Sequence, residues 1–134
     1  MKIEIITTEN RHLKESGFGS EIACKSILKS LRSLEHTARI NICKDKSDLE
    51  KILKRKPDLV VLAVKYISLK NEPNIWLSEY FRKHNINYTG STKDVLQFDS
   101  NKILAKSFLK RKGIVTAGFF TAIPKEYKED ELPL

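Results

Sequence analysis

The run Leu59-Val60-Val61-Leu62-Ala63-Val64, entered through Pro57-Asp58, decides how this chain folds. A strand with one face in water alternates apolar and polar residues, and this run has no polar residue at all. Such a strand is covered on both faces, as in a parallel sheet that lies between layers of helices. The run therefore predicts an inner strand of an α/β domain.

The segments on either side of this run alternate between strand and helix patterns. β-branched residues at alternate positions predict strands, and apolar residues at helical spacing predict helices. This alternation predicts an open, mainly parallel sheet with helices on both faces and right-handed crossovers. The predicted strands cover residues 2–7, 37–43, 59–64, 86–89 and 115–123; the helices cover 21–34, a short stretch capped by Ser47, 74–84, a turn over 92–98, and a helix from about Ser100 to Gly113; residues 66–73 form a loop.

The length and composition fit one folded domain. The chain has 134 residues, of which 40% are hydrophobic and 31% are charged, and this balance supports a packed core. No apolar run approaches the ~18 residues of a membrane span, and the first residues do not read as a signal peptide. We therefore expect a cytoplasmic protein, in which Cys24 and Cys43 are buried thiols rather than a disulfide or a zinc site.

The net charge of +8 raises nucleic acid as a partner. The basic residues are dispersed and mixed with 17 acidic residues, and no helix-turn-helix, zinc-finger or aromatic RNA-binding motif is present. Nucleic acid is therefore not the expected partner. A basic nucleic-acid-binding module stays open as an alternative, which strongly salt-dependent retention on DNA would support.

Three lysines recur every four residues on the helix near the end of the chain. Lys102, Lys106 and Lys110 fall on one helical face, and no acidic residue of that helix answers them. Asp99 or Ser100 is expected to cap this helix. The column has two interpretations: a solvated basic face, or a face whose first two lysines contact an anion such as a nucleotide phosphate.

The glycine-containing first loop does not fit a dinucleotide site. In Gly17-Phe18-Gly19-Ser20 the third glycine of the GxGxxG pattern would fall at Ile22. Ser20 is expected to cap the following helix. Glu21 has two interpretations: it stabilises the helix N-terminus by itself, or it faces the carboxyl edge of the sheet and receives a cationic amine.

Other polar residues give no catalytic set. The three histidines occur in unrelated settings, and no paired carboxylates stand at a plausible metal spacing. Ser91 and Thr92 are expected to cap a helical turn, with substrate contact as the alternative. We therefore predict no catalytic residue and no metal ligand in this chain.

Several motifs resemble the end of the N-terminal domain of D-alanine–D-alanine ligases and related ATP-grasp ligases. They are Tyr88-Thr89-Gly90-Ser91, then Asn101-Lys102, then Lys106, and finally Lys112-Gly113-Ile114. Gly19-Ser20-Glu21 is similar to the first-loop motif of that family. The resemblance runs from Gly19 to the end of the chain and is densest over residues 57–113.

The resemblance implies a Rossmann-like pre-ATP-grasp domain over residues 1–113, with 114–134 as the lead-in to an ATP-grasp domain that these residues do not contain. The implied activity is ATP-dependent joining of a carboxylate to an amine, which in this family serves peptidoglycan biosynthesis. ATP and Mg²⁺ are the implied cofactors of the full-length enzyme, and none is expected to bind tightly to this chain, which we expect to be inactive alone. The implied partners are an amino-acid substrate and ATP, and a homodimer through this domain.

The resemblance also implies roles for particular residues. Ser20 and Glu21 would contact the substrate, with Glu21 near its amino group, and Lys102 and Lys106 would contact the nucleotide. Two features depart from the family: Lys25 stands where a serine is usual, and residues 64–70 lack glycine and have inverted charge. The identity of the joined amino acids stays open, and a stand-alone Rossmann- or flavodoxin-like binding module is the alternative function.

Overall fold

A computed structural model describes residues 1–9 and 19–119, without the side chains of residues 99 and 100. Gly17 and Phe18 of the first loop, His12, and the end of the chain from residue 120 lie outside the described residues. The elements are β1 (Lys2–Thr7), α1 (Glu21–Ser33), β2 (Thr37–Ile42), α2 (Lys46–Lys54), β3 (Leu59–Leu62), β4 (Tyr66–Ile67), β5 (Ile75–Trp76), α3 (Leu77–Lys83), α4 (Lys93–Ser100) and α5 (Lys102–Arg111).

Three strands form a parallel sheet in the order β2-β1-β3. At its centre, Ile5 of β1 lies opposite Ile40 of β2 and Val61 of β3. The parallel α/β arrangement predicted from the sequence is thus confirmed. The predicted strand over 86–89 is reduced to one parallel bridge between Val60 and Tyr88, which continues the sheet beyond β3.

The two faces of the sheet carry separate hydrophobic cores, because neighbouring residues of a strand point to opposite faces. Ile5 packs with Cys24 of α1, whereas Ile6 packs with Ile52 of α2 and Phe81 of α3. Helices therefore cover both faces, as the uninterrupted apolar run of β3 predicts. The residues of β3 divide accordingly, with Val60 in the core that contains Ile6 and Val61 in the core that contains Ile5.

The segment after β3 differs from the sequence-based expectation. Residues 66–73 were expected to form a loop before a helix beginning at Asn74, but Tyr66–Ile67 and Ile75–Trp76 pair as an antiparallel hairpin. The amide of Leu77 donates to the carbonyl oxygen of Lys65 at 3.1 Å. Because these long-range bonds hold residues 75–76 extended, α3 begins only at Leu77.

Two helix caps also differ from the prediction. Asp45, not Ser47, caps α2, and its carboxylate accepts hydrogen bonds from the amides of Ser47 and Asp48 at 2.8 and 3.2 Å. Asn101, rather than Asp99 or Ser100, caps α5 through its side chain. At the start of both helices several neighbouring residues have side chains that can cap, and composition alone does not choose among them. The prediction that Gly113 ends α5 in a left-handed conformation is confirmed by its φ of +74°.

A buried acid lies in the middle of the sheet. Glu4 of β1 is 5% exposed, and Arg55 at the end of α2 donates to both of its carboxylate oxygens, at 2.8 and 3.1 Å. Asn41 donates to the same carboxylate at 2.7 Å. Burial by itself raises the pKa of Glu4, but Arg55, Asn41 and Arg39 more than offset it and hold the pKa below its ordinary value.

The two cysteines are buried and free, as expected. Burial raises the pKa of Cys43 to about 12, and burial also raises the pKa of Cys24. Both thiols are therefore protonated packing groups of the two cores. Over residues 1–9 and 19–119, no helix has the length and apolar character needed to cross a membrane.

The chain divides into two compact units, residues 1–93 and residues 94–134. The first unit contains the sheet and both hydrophobic cores. In the second unit, α5 has no buried residue. The ring of Phe108 on this helix contacts the ring of Phe98, and the two centroids are 5.2 Å apart.

Candidate functional site

The first candidate region is the carboxyl edge of the sheet, where the chain enters α1. Gly19 lies against the end of β3 so closely that a β-carbon on it would be 2.7 Å from the Ala63 carbonyl oxygen and 3.1 Å from Val64 Cγ1. The Thr7 hydroxyl, at the end of β1, donates to the Gly19 carbonyl oxygen at 3.1 Å. Gly19 is thus held between the carboxyl ends of β1 and β3.

This position is the switch point of the sheet. From β1 the chain crosses through α1 to β2 on one side, and β3 lies on the other side. In open α/β sheets, ligands bind in the crevice outside the carboxyl ends of the strands at such a point. Thr7 was not singled out from the sequence, although a polar residue at the end of an apolar strand is the signal that could have identified it.

Ser20 and Glu21 follow at the N-terminus of α1. The Ser20 hydroxyl accepts a hydrogen bond from the Ala23 amide at 3.2 Å, which confirms Ser20 as the cap. Glu21 is exposed, and its carboxylate lies 2.5 Å from the ammonium of Lys25. The hydrogen bond and charge of Lys25 hold the pKa of Glu21 below its ordinary value. Glu21 is therefore an ionised acid that already binds an ammonium group in water.

The Tyr88-Thr89-Gly90-Ser91 motif ends at the same edge of the sheet. The amide of Thr89 donates to the Val60 carbonyl oxygen at 3.0 Å, and its hydroxyl accepts from the Leu62 amide at 3.1 Å. Gly90 then turns the chain with a φ of +99°, a conformation that few other residues adopt. Thr89 therefore attaches this motif to β3 as far as Leu62, the last residue of that strand. Ser91, at the end of the motif, is exposed.

Beyond this turn, one acid holds two lysines. Glu79 of α3 lies 3.1 Å from the Lys93 ammonium and 3.6 Å from the Lys83 ammonium. The hydrogen bond from Lys93 contributes most to holding the pKa of Glu79 below its ordinary value. This cluster was not predicted, because Lys93 is remote in sequence from Glu79; only the helical spacing of Glu79 and Lys83 could have indicated it.

The second candidate region is the lysine column of α5, in the second unit. Lys102 and Lys110 are exposed, whereas Lys106 is half-buried and donates to the Ala117 carbonyl oxygen at 3.2 Å. The Lys106 ammonium also lies 5.4 Å from the centre of the Phe119 ring. The chain thus folds back after α5, and a carbonyl oxygen of its own backbone accepts a hydrogen bond from the middle lysine of the column.

The predicted site residues therefore form two sets. Ser20 and Glu21 are adjacent at the N-terminus of α1 in the first unit, and Lys102 and Lys106 share α5 in the second unit. Their predicted roles in substrate and nucleotide binding stay predictions. Within the described part of the chain, no group of three or more His, Cys, Asp and Glu side chains could hold a metal ion.

Comparison of this chain with protein-family models, with curated proteins and with solved structures finds no match.

Proposed function

We propose that this chain is the N-terminal, Rossmann-like domain of an ATP-dependent carboxylate–amine ligase of the D-alanine–D-alanine ligase type. In this proposal the carboxyl edge of the sheet binds an amino-acid substrate, and the lysine column contributes to binding the nucleotide. The parallel order β2-β1-β3, with helices on both faces, supports the Rossmann-like assignment.

One observation carries the proposal: Gly19 is locked between the ends of β1 and β3. The tight contact with Ala63 and the hydrogen bond from Thr7 place the start of α1 at the switch point. The Ser20-Glu21 pair of the family-like motif then follows at the edge where such sheets bind ligands. The Tyr88–Ser91 motif reaches the same edge through its bonds to Val60 and Leu62.

The exposed ion pair of Glu21 and Lys25 indicates how the substrate amine would bind. The Lys25 ammonium stands in for the amino group of the substrate, and it lies on the next turn of the same helix. An exposed pair of this kind is worth little in free energy, so a substrate ammonium held by further contacts can displace it. Lys25 would then act as a local competitor that selects for a substrate making more than one contact.

In the proposed reaction, a substrate carboxylate oxygen attacks the terminal phosphorus of ATP, which forms an acyl phosphate and releases ADP. The amine of the second substrate then attacks the carbonyl carbon, phosphate leaves, and a proton is lost from the nitrogen. Magnesium, held by residues outside this chain, would neutralise phosphate charge. Lys102 would contribute by binding the nucleotide phosphates through its ammonium group.

The chain itself permits a matched test of the lysine assignment. Lys102→Ala, Lys106→Ala and Lys110→Ala each remove one positive charge from the same helix, but only the first two positions belong to the family-like pattern. Titration with MgATP, followed by amide chemical shifts in NMR spectra, should give weak binding. We expect that binding to weaken about tenfold in the first two variants and to be nearly unchanged in Lys110→Ala.

Two results would contradict the proposal. An equal loss of affinity in all three variants would mean that α5 is a solvated basic face with no specific anion site. Release of ADP from MgATP and amino acids by the 134-residue chain alone would mean that no further domain is needed.

A further inference from the structure

The β4–β5 hairpin emerges directly from the candidate substrate edge. The close contacts of Gly19 are with Ala63 and Val64, and β4 begins two residues later at Tyr66. Three peptide units span at most about 10 Å, so Tyr66 lies within that distance of the Ala63 backbone. The hairpin therefore begins close to the backbone that contacts Gly19.

Two aromatic rings cover the outer face of this hairpin. Tyr66 and Trp76 are directly opposite each other in the antiparallel register, so their side chains share a face. Their ring centroids are 5.2 Å apart, with 56° between the planes. Tyr66 is 37% exposed and Trp76 is half-buried, so both rings are in reach of solvent.

The other face of the hairpin anchors these rings. Ile67 is 1% exposed and packs in the core with Leu77 and Phe81. The hydrogen bond from the Leu77 amide to the Lys65 carbonyl oxygen ties the hairpin to the start of α3. The aromatic pair is thus presented from a fixed backbone, which reduces the entropy lost when a ligand binds to it.

The segment that forms the hairpin carries a small net positive charge. Between Ala63 and Trp76 the charged residues are Lys65, Lys70 and Glu72, which leave one net positive charge. A carboxylate is compatible with this balance, and flat rings stack well on tyrosine and tryptophan.

We propose that Tyr66 and Trp76 form one wall of the substrate site and that the amino-acid substrate has an aromatic side chain. This inference rests on the proposed function, whose substrate edge it specifies. A methyl group, as in alanine, would cover little of two ring faces, whereas an aromatic side chain can pack against both. The wall therefore selects among amino-acid substrates by contact with their side-chain rings. The Glu21 carboxylate binds the amino group independently of this selection.

Trp76 is the single tryptophan of the chain, so its fluorescence reports directly on this wall. The 134-residue chain would be titrated with L- and D-phenylalanine and with L- and D-alanine, while tryptophan emission is recorded. We expect one phenylalanine enantiomer to change the emission saturably, with a Kd at least about tenfold below that of either alanine. Tyr66→Ala should weaken phenylalanine binding about fivefold, whereas Tyr66→Phe, which keeps a ring, should retain it.

The control is Phe108→Ala, which removes an exposed ring from the second unit and should leave the titration unchanged. Equal affinity for alanine, full binding by Tyr66→Ala, or no emission change with either amino acid would overturn the inference. Tighter binding of adenosine than of phenylalanine would also overturn it, because the wall would then belong to a nucleobase.

The test separates this inference from the proposed function. Phenylalanine binding without any effect of Lys102→Ala or Lys106→Ala on MgATP binding would support the aromatic wall and remove the ligase assignment. A specific MgATP response without phenylalanine binding would support the ligase assignment and remove the aromatic wall.

Discussion

Gly19 and the carbonyl oxygen of Ala63 are in such close contact that no side chain fits between them. A β-carbon on Gly19 would lie 2.7 Å from that oxygen, nearer than real β-carbons approach another heavy atom. The contact joins the start of α1 to the end of β3, two segments that are far apart in sequence. It therefore sets the position of Ser20 and Glu21 at the carboxyl edge of the sheet.

The first prediction concerns this contact. Gly19→Ala should lower the free energy of unfolding by about 2 kcal/mol, because the added carbon meets backbone atoms that cannot rotate away. Gly118→Ala is the control, since nothing lies within 4 Å of its added carbon and its φ is not positive. Urea unfolding followed by circular dichroism measures both variants, and equal costs would mean that β3 yields easily at Ala63.

The second prediction concerns the buried ion pair. Arg55→Met should lower the free energy of unfolding by about 3 kcal/mol, because it leaves the Glu4 carboxylate buried without its bidentate partner. Arg39→Met is the matched control. Its guanidinium is 3.7 Å from the same carboxylate and its side chain is 56% exposed, so the cost should stay below about 1 kcal/mol. Similar losses of unfolding free energy in the two variants, measured by urea unfolding, would argue that Arg55 is not the main partner of Glu4.

The third prediction concerns pH. The pKa of Glu4 is lower in the folded protein than its ordinary value of 4.5, so folding favours the ionised form. The stability from this group is then fully present above pH 4.5 and is lost as the pH falls through the folded pKa. We expect the stability difference between the parent and Arg55→Met to shrink as the pH is lowered below 4.5. A difference that stays constant down to pH 3 would contradict this linkage.

The fourth prediction separates two candidate caps of α2. Asp45→Ala should cost about 1 kcal/mol, because its carboxylate accepts from two backbone amides of the first turn. Ser47→Ala should cost less than half of that, since the Ser47 side chain is not the cap and acts only through its hydrogen bond to Asp45. Thermal unfolding of the two variants decides between them, and the reverse order would restore Ser47 as the cap.

Much of the fold was predictable because it depends on local periodicity. The predicted bounds of β1 are those observed, and α1 ends within one residue of the prediction. The hairpin over residues 66–76 was not predictable, because each of its strands has only two residues and neither shows a period. The bonds of Ile75 and Trp76 to β4 then override the helical pattern that begins at Asn74.

The candidate site was predicted in part for the same reason. The Ser20 cap and the lysine column of α5 follow from spacing within a single helix. The attachment of Lys106 to the Ala117 carbonyl oxygen, and of Lys93 to Glu79, depends on how the chain turns between them. Spacing within one element carries no information about such turns.

The sequence by itself determined that β3 is covered on both faces and that the chain builds a parallel sheet, because hydrophobic burial imposes its period on each element. The tertiary structure alone decided that Gly19 packs on Ala63, that Glu4 forms an ion pair with Arg55, and that Tyr66 pairs with Trp76. Each of these contacts joins residues that are separate in sequence. Their distances are set by the packing of whole elements, which no local pattern encodes.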